Sequence, residues 1–260
     1  MRTSAFEYSG AQMWDNPRLL NMTANALIGF AALIFAYAGL QLLLRSPLFP
    51  LKEIVVRGDL KNVAFPEIEA AVDGVGGNFF AADLATIRSR LEQVTWVRRV
   101  DVRRVWPDRI EVNLEEHVAF ARWGDTGLVN TFGEPFAATM ENGDEAKLPL
   151  FAGPVGTEGE LARRYRRFAG LLAPLGEASD REVVAIVLTP RYAWQLRLAG
   201  GLRLELGRDG AEPVDERLAR FVAVYADSLG RLPRHAAPDI RNVDLRYPNG
   251  FALRVAGWKG

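Results

Sequence analysis

The sequence contains no cysteine and has two histidines, His117 and His235, which lie far apart along the chain. Without cysteine there can be no disulfide bond, thiolate zinc site or cysteine nucleophile. The sequence also lacks the G-x-S-x-G, H-E-x-x-H and S-x-x-K patterns of common hydrolases and transpeptidases. We therefore predict a protein that is not an enzyme and needs no cofactor, no metal and no small-molecule substrate.

The chain also lacks an excess of either charge, because its 32 Lys and Arg residues are balanced by 32 Asp and Glu residues. Nucleic-acid binding rests largely on neutralising phosphates and normally needs a basic surplus. A local basic run exists at Arg98, Arg99, Arg103 and Arg104. Acidic residues lie beside it on the same two predicted strands, so cross-strand ion pairing explains the run better than a nucleic-acid surface.

One long segment has no charge at all, from residue 19 to residue 44, between Arg18 and Arg45. It is long enough to span a bilayer, and it has no polar face of the kind that a core helix keeps. Ala36-Tyr37-Ala38 resembles a signal-peptidase site, but the apolar run is longer than a cleavable signal usually has. We predict a tail at residues 1–18 and an uncleaved transmembrane signal anchor at residues 19–45. Basic residues flank both ends, so charge leaves the orientation open.

A β-α-α-β-β pattern follows the anchor over residues 50–118. We predict a strand at 52–57, helices at 65–72 and 84–94, and two strands joined by a turn at Pro107 and Asp108. Asp83 is the predicted cap of the second helix. The glycines near residue 76 do not form a phosphate-binding motif, and we expect Phe79 and Phe80 to fill the gap between the helices.

The remaining region, residues 119–256, is rich in short strands and contains two amphipathic helices. Strands are predicted at 118–123, 128–130, 135–138, 183–188, 194–198, 202–206, 240–246 and 251–255. Residues 148–159 read as a loop, and the helices present Leu161, Phe168, Leu218 and Phe221 on their apolar faces. The predicted fold class is α+β: one transmembrane helix, a small sheet with two helices, and a mixed, mainly antiparallel β domain with two helices.

Glu115, Glu116 and His117 form the one cluster that suggests general acid–base chemistry. They lie at a strand end, where the first soluble region passes into the second. We therefore interpret them as structural, and a pocket converging on Glu116 and His117 would favour a membrane-anchored hydrolase instead.

This organisation resembles the FtsQ/DivIB family of bacterial cell-division proteins, whose first soluble module is a POTRA domain. The stretches that carry the resemblance are WVRR at 96–99, WPDR at 106–109, EEH at 115–117, ARW at 121–123 and VDLRYPNGF at 243–251. The resemblance implies a non-enzymatic scaffold of the division machinery at the septum, anchored in the inner membrane. It also implies a cytoplasmic N-terminus, periplasmic soluble domains and binding to FtsB and FtsL. A POTRA-type periplasmic assembly factor outside cell division is the alternative.

The candidate partner-binding site lies in the last two predicted strands. The final strand has one covalent neighbour, so it is expected at a sheet edge, where its free backbone groups can pair with a partner strand. The candidate residues lie in this strand or just before it: Arg246, Tyr247, Asn249, Gly250, Phe251 and Arg254. The aromatic residues would act as anchors and the arginines would pair acidic partner residues. The alternative is that Phe251 belongs to the core and the arginines protect the edge against aggregation.

Overall fold

The computed structural model describes residues 17–46, 49–75, 78–125, 127–175, 181–227, 240–248 and 250–255. Most of the predicted N-terminal tail and His235 lie outside these residues. Contacts divide the chain into two units. The first comprises residues up to 58, 65–91 and 100–114, and the second comprises residues 59–64, 92–99 and 115 onward. The predicted α+β class is confirmed.

The first helix, α1 (Pro17–Arg45), has 29 residues. At about 1.5 Å per residue it is roughly 43 Å long, more than the roughly 30 Å of a bilayer's hydrocarbon core. The most apolar 18-residue stretch within Pro17–Leu43 has a mean hydropathy of 2.1, and none of that stretch is buried against the rest of the described chain. The Thr23 hydroxyl donates to the carbonyls of Leu19 and Leu20, so this polar side chain is satisfied within the helix. By length and composition, α1 can cross a membrane.

The β-α-α-β-β pattern is confirmed. Its elements are β1 (Glu53–Arg57), α2 (Phe65–Val72), α3 (Leu84–Leu91), β2 (Val97–Val105) and β3 (Arg109–Glu116). The strands form a sheet in the order β1-β3-β2, with β1 parallel to β3. Ile68, Ile87, Leu91, Ile110 and Val112 are buried. The second helix ends at Leu91, earlier than predicted, because residues 92–94 turn away toward β2.

Asp83 caps α3 as expected. Its carboxylate accepts the backbone N–H groups of Ala85 and Thr86 at 3.0 and 3.2 Å, and the Thr86 hydroxyl at 2.7 Å. These hydrogen bonds favour the ionised form and, with the Thr86 side chain as the largest cause, they lower the pKa of Asp83.

One expectation for this unit is corrected, and the expected ion pairing of the basic run is found for some of its arginines. Phe79 is buried, but Phe80 is 42% exposed and does not fill the gap between the helices. The backbone N–H of Phe80 is held by the side chain of Asn78, which directs the ring outward against Phe49. Arg103 does pair with a carboxylate, that of Glu111. Arg104 instead donates to backbone carbonyls, because the turn before α3 presents several of them to it.

The second unit is built on a nine-stranded sheet in the order β12-β11-β10-β9-β8-β7-β4-β5-β6. Its strands are β4 (Ala119–Trp123), β5 (Gly127–Asn130), β6 (Pro135–Phe136), β7 (Leu150–Ala152), β8 (Val183–Leu188), β9 (Trp194–Leu198), β10 (Arg203–Gly207), β11 (Ile240–Asp244) and β12 (Ala252–Val255). The helices are α4 (Glu158–Leu172) and α5 (Val214–Asp227). The parallel pairs β7–β8 and β10–β11 are joined through these helices.

The core of this unit lies where α4 and α5 cover one face of the sheet. Phe168 and Phe221 from the helices and Phe151, Leu196 and Leu204 from the strands are fully or almost fully buried in it. The prediction of a loop over residues 148–159 was wrong in part, because β7 lies there and is a central strand paired with β4 and β8. A three-residue apolar segment between Pro149 and Gly153 is too short to show a strand period.

Candidate functional site

The C-terminal hairpin lies at one edge of the nine-stranded sheet, as predicted. Strand β12 pairs antiparallel with β11, with Asp244 opposite Ala252 and Val243 opposite Leu253. Within the described residues, no strand lies on the other side of β12. Alternate N–H and C=O groups of β12 therefore point away from the sheet and can accept an added strand.

Tyr247 and Arg246 lie directly after β11. The Tyr247 side chain is 54% exposed. The Arg246 guanidinium is exposed, but it already forms two hydrogen bonds to the carboxylate of Asp244, at 2.8 and 2.5 Å. This contact raises the pKa of Arg246 and lowers the pKa of Asp244. A partner carboxylate at this position would have to share Arg246 with Asp244, whereas Tyr247 is directly available.

Phe251 precedes β12 and is half-buried. Its ring lies edge-on to the ring of Phe221 on α5, with 5.4 Å between centroids and 85° between planes. Phe251 thus contributes to the core, as the alternative interpretation expected, and shows part of its surface at the edge. Gly250 is also half-buried and Arg254 is exposed, while Asn249 lies outside the described residues.

A row of arginines, which no sequence pattern predicted, lies on the helix-free face of the sheet. The register places Arg197 of β9 opposite Arg203 of β10, Arg203 opposite Asn242, and Asn242 opposite Arg254. Directly opposed side chains on neighbouring strands have Cβ atoms about 5 Å apart, so three guanidinium groups share one surface beside the edge. No described carboxylate forms an ion pair with any of the three.

The next row on this face is polar and less positive. Gln195 donates to the carboxylate of Glu205 at 2.9 Å, and Asp244 follows Glu205 in register. Asp244 is in turn neutralised by Arg246. The face beside β12 therefore carries a net positive charge, which favours a partner with acidic side chains.

Glu116 makes structural contacts. Its carboxylate accepts the backbone N–H groups of Lys61, Asn62 and Val63 at 2.8, 2.6 and 2.7 Å. These bonds tie the segment that follows β1 to the end of β3 within the second unit. Because these three hydrogen bonds hold two segments of the chain together, they agree with the structural interpretation of Glu116.

The neighbouring residues form a second network. Arg98 binds the Glu134 carboxylate through two N–H groups at 2.7 and 3.0 Å, and binds Glu115 at 2.6 Å. The bond from Arg98, followed by one from Asn130, lowers the pKa of Glu134 to about 2. The His117 ring stacks on Phe136 with 4.2 Å between centroids and contacts the Asn130 side chain.

We expect acidification to destabilise the second unit through His117. Burial lowers the pKa of His117 below its ordinary 6.5, and Arg98 acts in the same direction, whereas Glu134 and Glu115 oppose it. The unfolded chain therefore takes up a proton first as the pH falls through 6.5, and stability present above that pH is lost below it. Glu134 stays ionised throughout this window.

The measurement is urea unfolding at about pH 7.5 and about pH 5.5, for the unmodified chain and for His117→Gln. The loss of stability between the two pH values should be smaller in the variant. An equal loss in both chains would show that His117 does not carry the effect.

No group of three or more metal-ligating side chains occurs in the part of the chain that the structure describes. The candidate site is a sheet edge, assembled from backbone groups, an exposed tyrosine and a row of arginines.

Comparison with known proteins gives two family matches. Residues 49–117 match the model of the POTRA domain, FtsQ-type, and residues 121–246 match that of cell division protein FtsQ/DivIB, C-terminal. The chain is 42% identical to "Cell division protein FtsQ" of Burkholderia pseudomallei, over 95% of this chain and 96% of the relative. The protein of the same name from Nitrosospira multiformis is 39% identical, over 93% and 99%. That of Escherichia coli is 33% identical, over 80% and 73%.

Proposed function

The chain belongs to the FtsQ/DivIB family of cell-division proteins, and from this membership we propose that it is a non-enzymatic scaffold of the division machinery. In this role it bridges early and late division proteins through contacts between proteins. FtsB and FtsL are the proposed partners. The single observation that supports the proposal most directly is the free edge of β12 beside a positively charged sheet face.

An extended segment of FtsB would add to β12 as a further strand of the sheet. Backbone hydrogen bonds to the edge give such an interface its affinity, and side chains at alternate positions give it specificity. Tyr247 offers an aromatic anchor at the end of the hairpin. Arg254 lies on the edge strand itself, and Arg203 and Arg197 continue the positive row inward, so acidic residues of the partner would meet several guanidinium groups.

Helix α1 supports the proposed membrane arrangement. Family membership and this apolar helix near the N-terminus, the one candidate span among the described residues, fit a single-pass protein of the inner membrane. We propose that residues 1–18 are cytoplasmic and that residues 19–45 form the anchor. The POTRA domain at 50–118 and the C-terminal domain at 119–256 would then lie in the periplasm, at the septum.

The proposal is tested by calorimetric titration of residues 51–260 with the periplasmic part of FtsB, with and without the periplasmic part of FtsL. We expect saturable binding that weakens as salt rises, because charge attraction across the arginine row is screened. The triple variant Arg197→Gln, Arg203→Gln, Arg254→Gln should bind less tightly and lose most of the salt dependence. Absence of binding even with FtsL present would contradict the proposed role.

A further inference from the structure

Two large aromatic side chains of the first unit are exposed near the end of the membrane anchor. Trp106, at the tip of the β2–β3 hairpin, is 74% exposed, and Phe80 is 42% exposed. Phe80 packs edge-on against Phe49, with 5.2 Å between ring centroids. We call Phe49, Phe80 and Trp106 the anchor-proximal patch.

Hydrogen bonds tie the patch to the chain that leaves α1. The Asn78 side chain donates to the carbonyl of Ser46 at 2.5 Å, and the N–H of Phe79 donates to the carbonyl of Phe49 at 2.8 Å. The N–H of Lys52 donates to the carbonyl of Asp108, in the hairpin turn, at 2.9 Å. Both parts of the patch are therefore attached to the segment that directly follows Arg45.

Arg104 connects the two parts. It lies two residues before Trp106, and its guanidinium donates to the carbonyls of Phe79, Phe80 and Ala82 at 3.0, 3.3 and 2.6 Å. The Arg104 side chain thus fastens the backbone at Phe80 to strand β2, two residues before Trp106. Charged pairs lie beside the patch, Lys52 with Asp108 at 2.9 Å and Arg109 with Glu53 at 3.1 Å.

We propose that the anchor-proximal patch rests in the headgroup region of the same bilayer that α1 crosses. Tryptophan and other aromatic rings with charged neighbours favour this layer, where one side is apolar and the other is wet. The headgroup layer adds only about 5–8 Å beyond the hydrocarbon core on each side. The apolar span of α1 ends at Leu43, and Ser46, which already binds the patch through Asn78, lies three residues further on.

The consequence is a soluble region with a defined orientation on the membrane. A domain that hung from a free linker would sample many orientations. The patch, together with α1, would instead give the first unit two points of attachment to the lipid.

The absence of cysteine in the natural chain allows a direct test with the full-length protein in lipid nanodiscs. Single variants Phe80→Cys and Trp106→Cys are labelled with an environment-sensitive fluorophore. Nanodisc lipids carry a nitroxide quencher either at the headgroup or deep in the acyl chain. The matched control is Phe65→Cys, because Phe65 is 70% exposed in the same unit and opens α2, after β1 has led the chain away from Lys52.

We expect headgroup nitroxides to quench the labels at positions 80 and 106 and to leave the label at 65 unaffected. Deep nitroxides should quench the first two labels less strongly. Equal quenching at all three positions, or none at 80 and 106, would overturn the proposal. The second result would leave the patch as a candidate surface for a partner protein, because these nanodiscs contain no division partner.

A second variant separates the role of Trp106 from that of the label. Adding Trp106→Ser to Phe80→Cys should reduce headgroup quenching at position 80, because one attachment point is lost. Adding Tyr192→Ser, which removes a ring that is 60% exposed in the second unit, should not. If quenching at position 80 is unchanged by Trp106→Ser, Trp106 does not hold the unit on the bilayer.

Discussion

Replacing Tyr247 with lysine is expected to weaken FtsB binding by about thirtyfold or more, the effect of losing an interface anchor worth about 2 kcal/mol. The tyrosine ring is more than half exposed beside the free edge of β12. A lysine removes the apolar contact and places another cation next to Arg246. The measurement is the same calorimetric titration with the periplasmic part of FtsB.

The matched control is Tyr192→Lys, which changes an equally exposed tyrosine in the loop between β8 and β9. This variant should bind FtsB as the unmodified chain does, and both variants should unfold at the same urea concentration as that chain. Equal binding by Tyr247→Lys and the unmodified chain would remove Tyr247 from the interface.

Phe251 gives a less direct test of the same interface. Its ring packs against Phe221 within the core of the second unit. Truncation to alanine would therefore lower the stability of the hairpin as well as any partner contact, and the two effects would reach a binding measurement together. Tyr247 separates binding from folding because most of its surface faces solvent.

Replacing Gly133 with alanine is expected to lower the free energy of unfolding by about 2–5 kcal/mol, the sum of backbone strain and overpacking. Gly133 has φ +83°, in the left-handed region. An added Cβ would lie 2.7 Å from the Cα of Gly159 and 3.4 Å from the Cβ of Ala162, both on α4. Backbone on both sides of this contact leaves no flexible side chain to move aside.

Gly143→Ala is the control for the cost of the left-handed backbone conformation alone. Its φ is +72°, and an added Cβ there would meet nothing within 4 Å, so it should cost about 1–2 kcal/mol. Urea unfolding followed by circular dichroism measures both variants. Equal losses would mean that the close approach of Gly133 to α4 carries no cost of its own.

Much of the fold was predictable because apolar residues recur along its helices and strands with the period of each element. The alternation from Arg109 to Glu115 predicted β3, which the structure extends by one residue to Glu116, and the apolar stripes of α4 and α5 predicted both helices. Strands β8 and β9 were also placed at their observed bounds. Strand β7 was missed because its three residues are too few to show the alternation of apolar and polar residues. Its conformation depends on pairing with β4 and β8, which a sequence pattern does not reveal.

The edge position of the candidate site was predictable, but its surface chemistry was not. A final hairpin has few ways to join a sheet, so an edge was the natural expectation. The arginine row depends on pairing β9 with β10 and β10 with β11, and register between distant strands is not visible in a sequence. The contact of Arg246 with Asp244 is local, but it depends on how the chain bends after β11.

The β11–β12 hairpin is joined to the rest of the sheet through three residue pairs with β10, from Arg203 opposite Asn242 to Glu205 opposite Asp244. An element held by so few pairs is a natural unit of local opening, distinct from global unfolding. A ligand that pairs with β12 would convert this hairpin from the margin of the sheet into its interior. Part of the ligand's intrinsic binding free energy would then be used to hold the hairpin against β10. Substitutions that strengthen the pairing of β10 with β11 should therefore tighten binding without contacting the ligand.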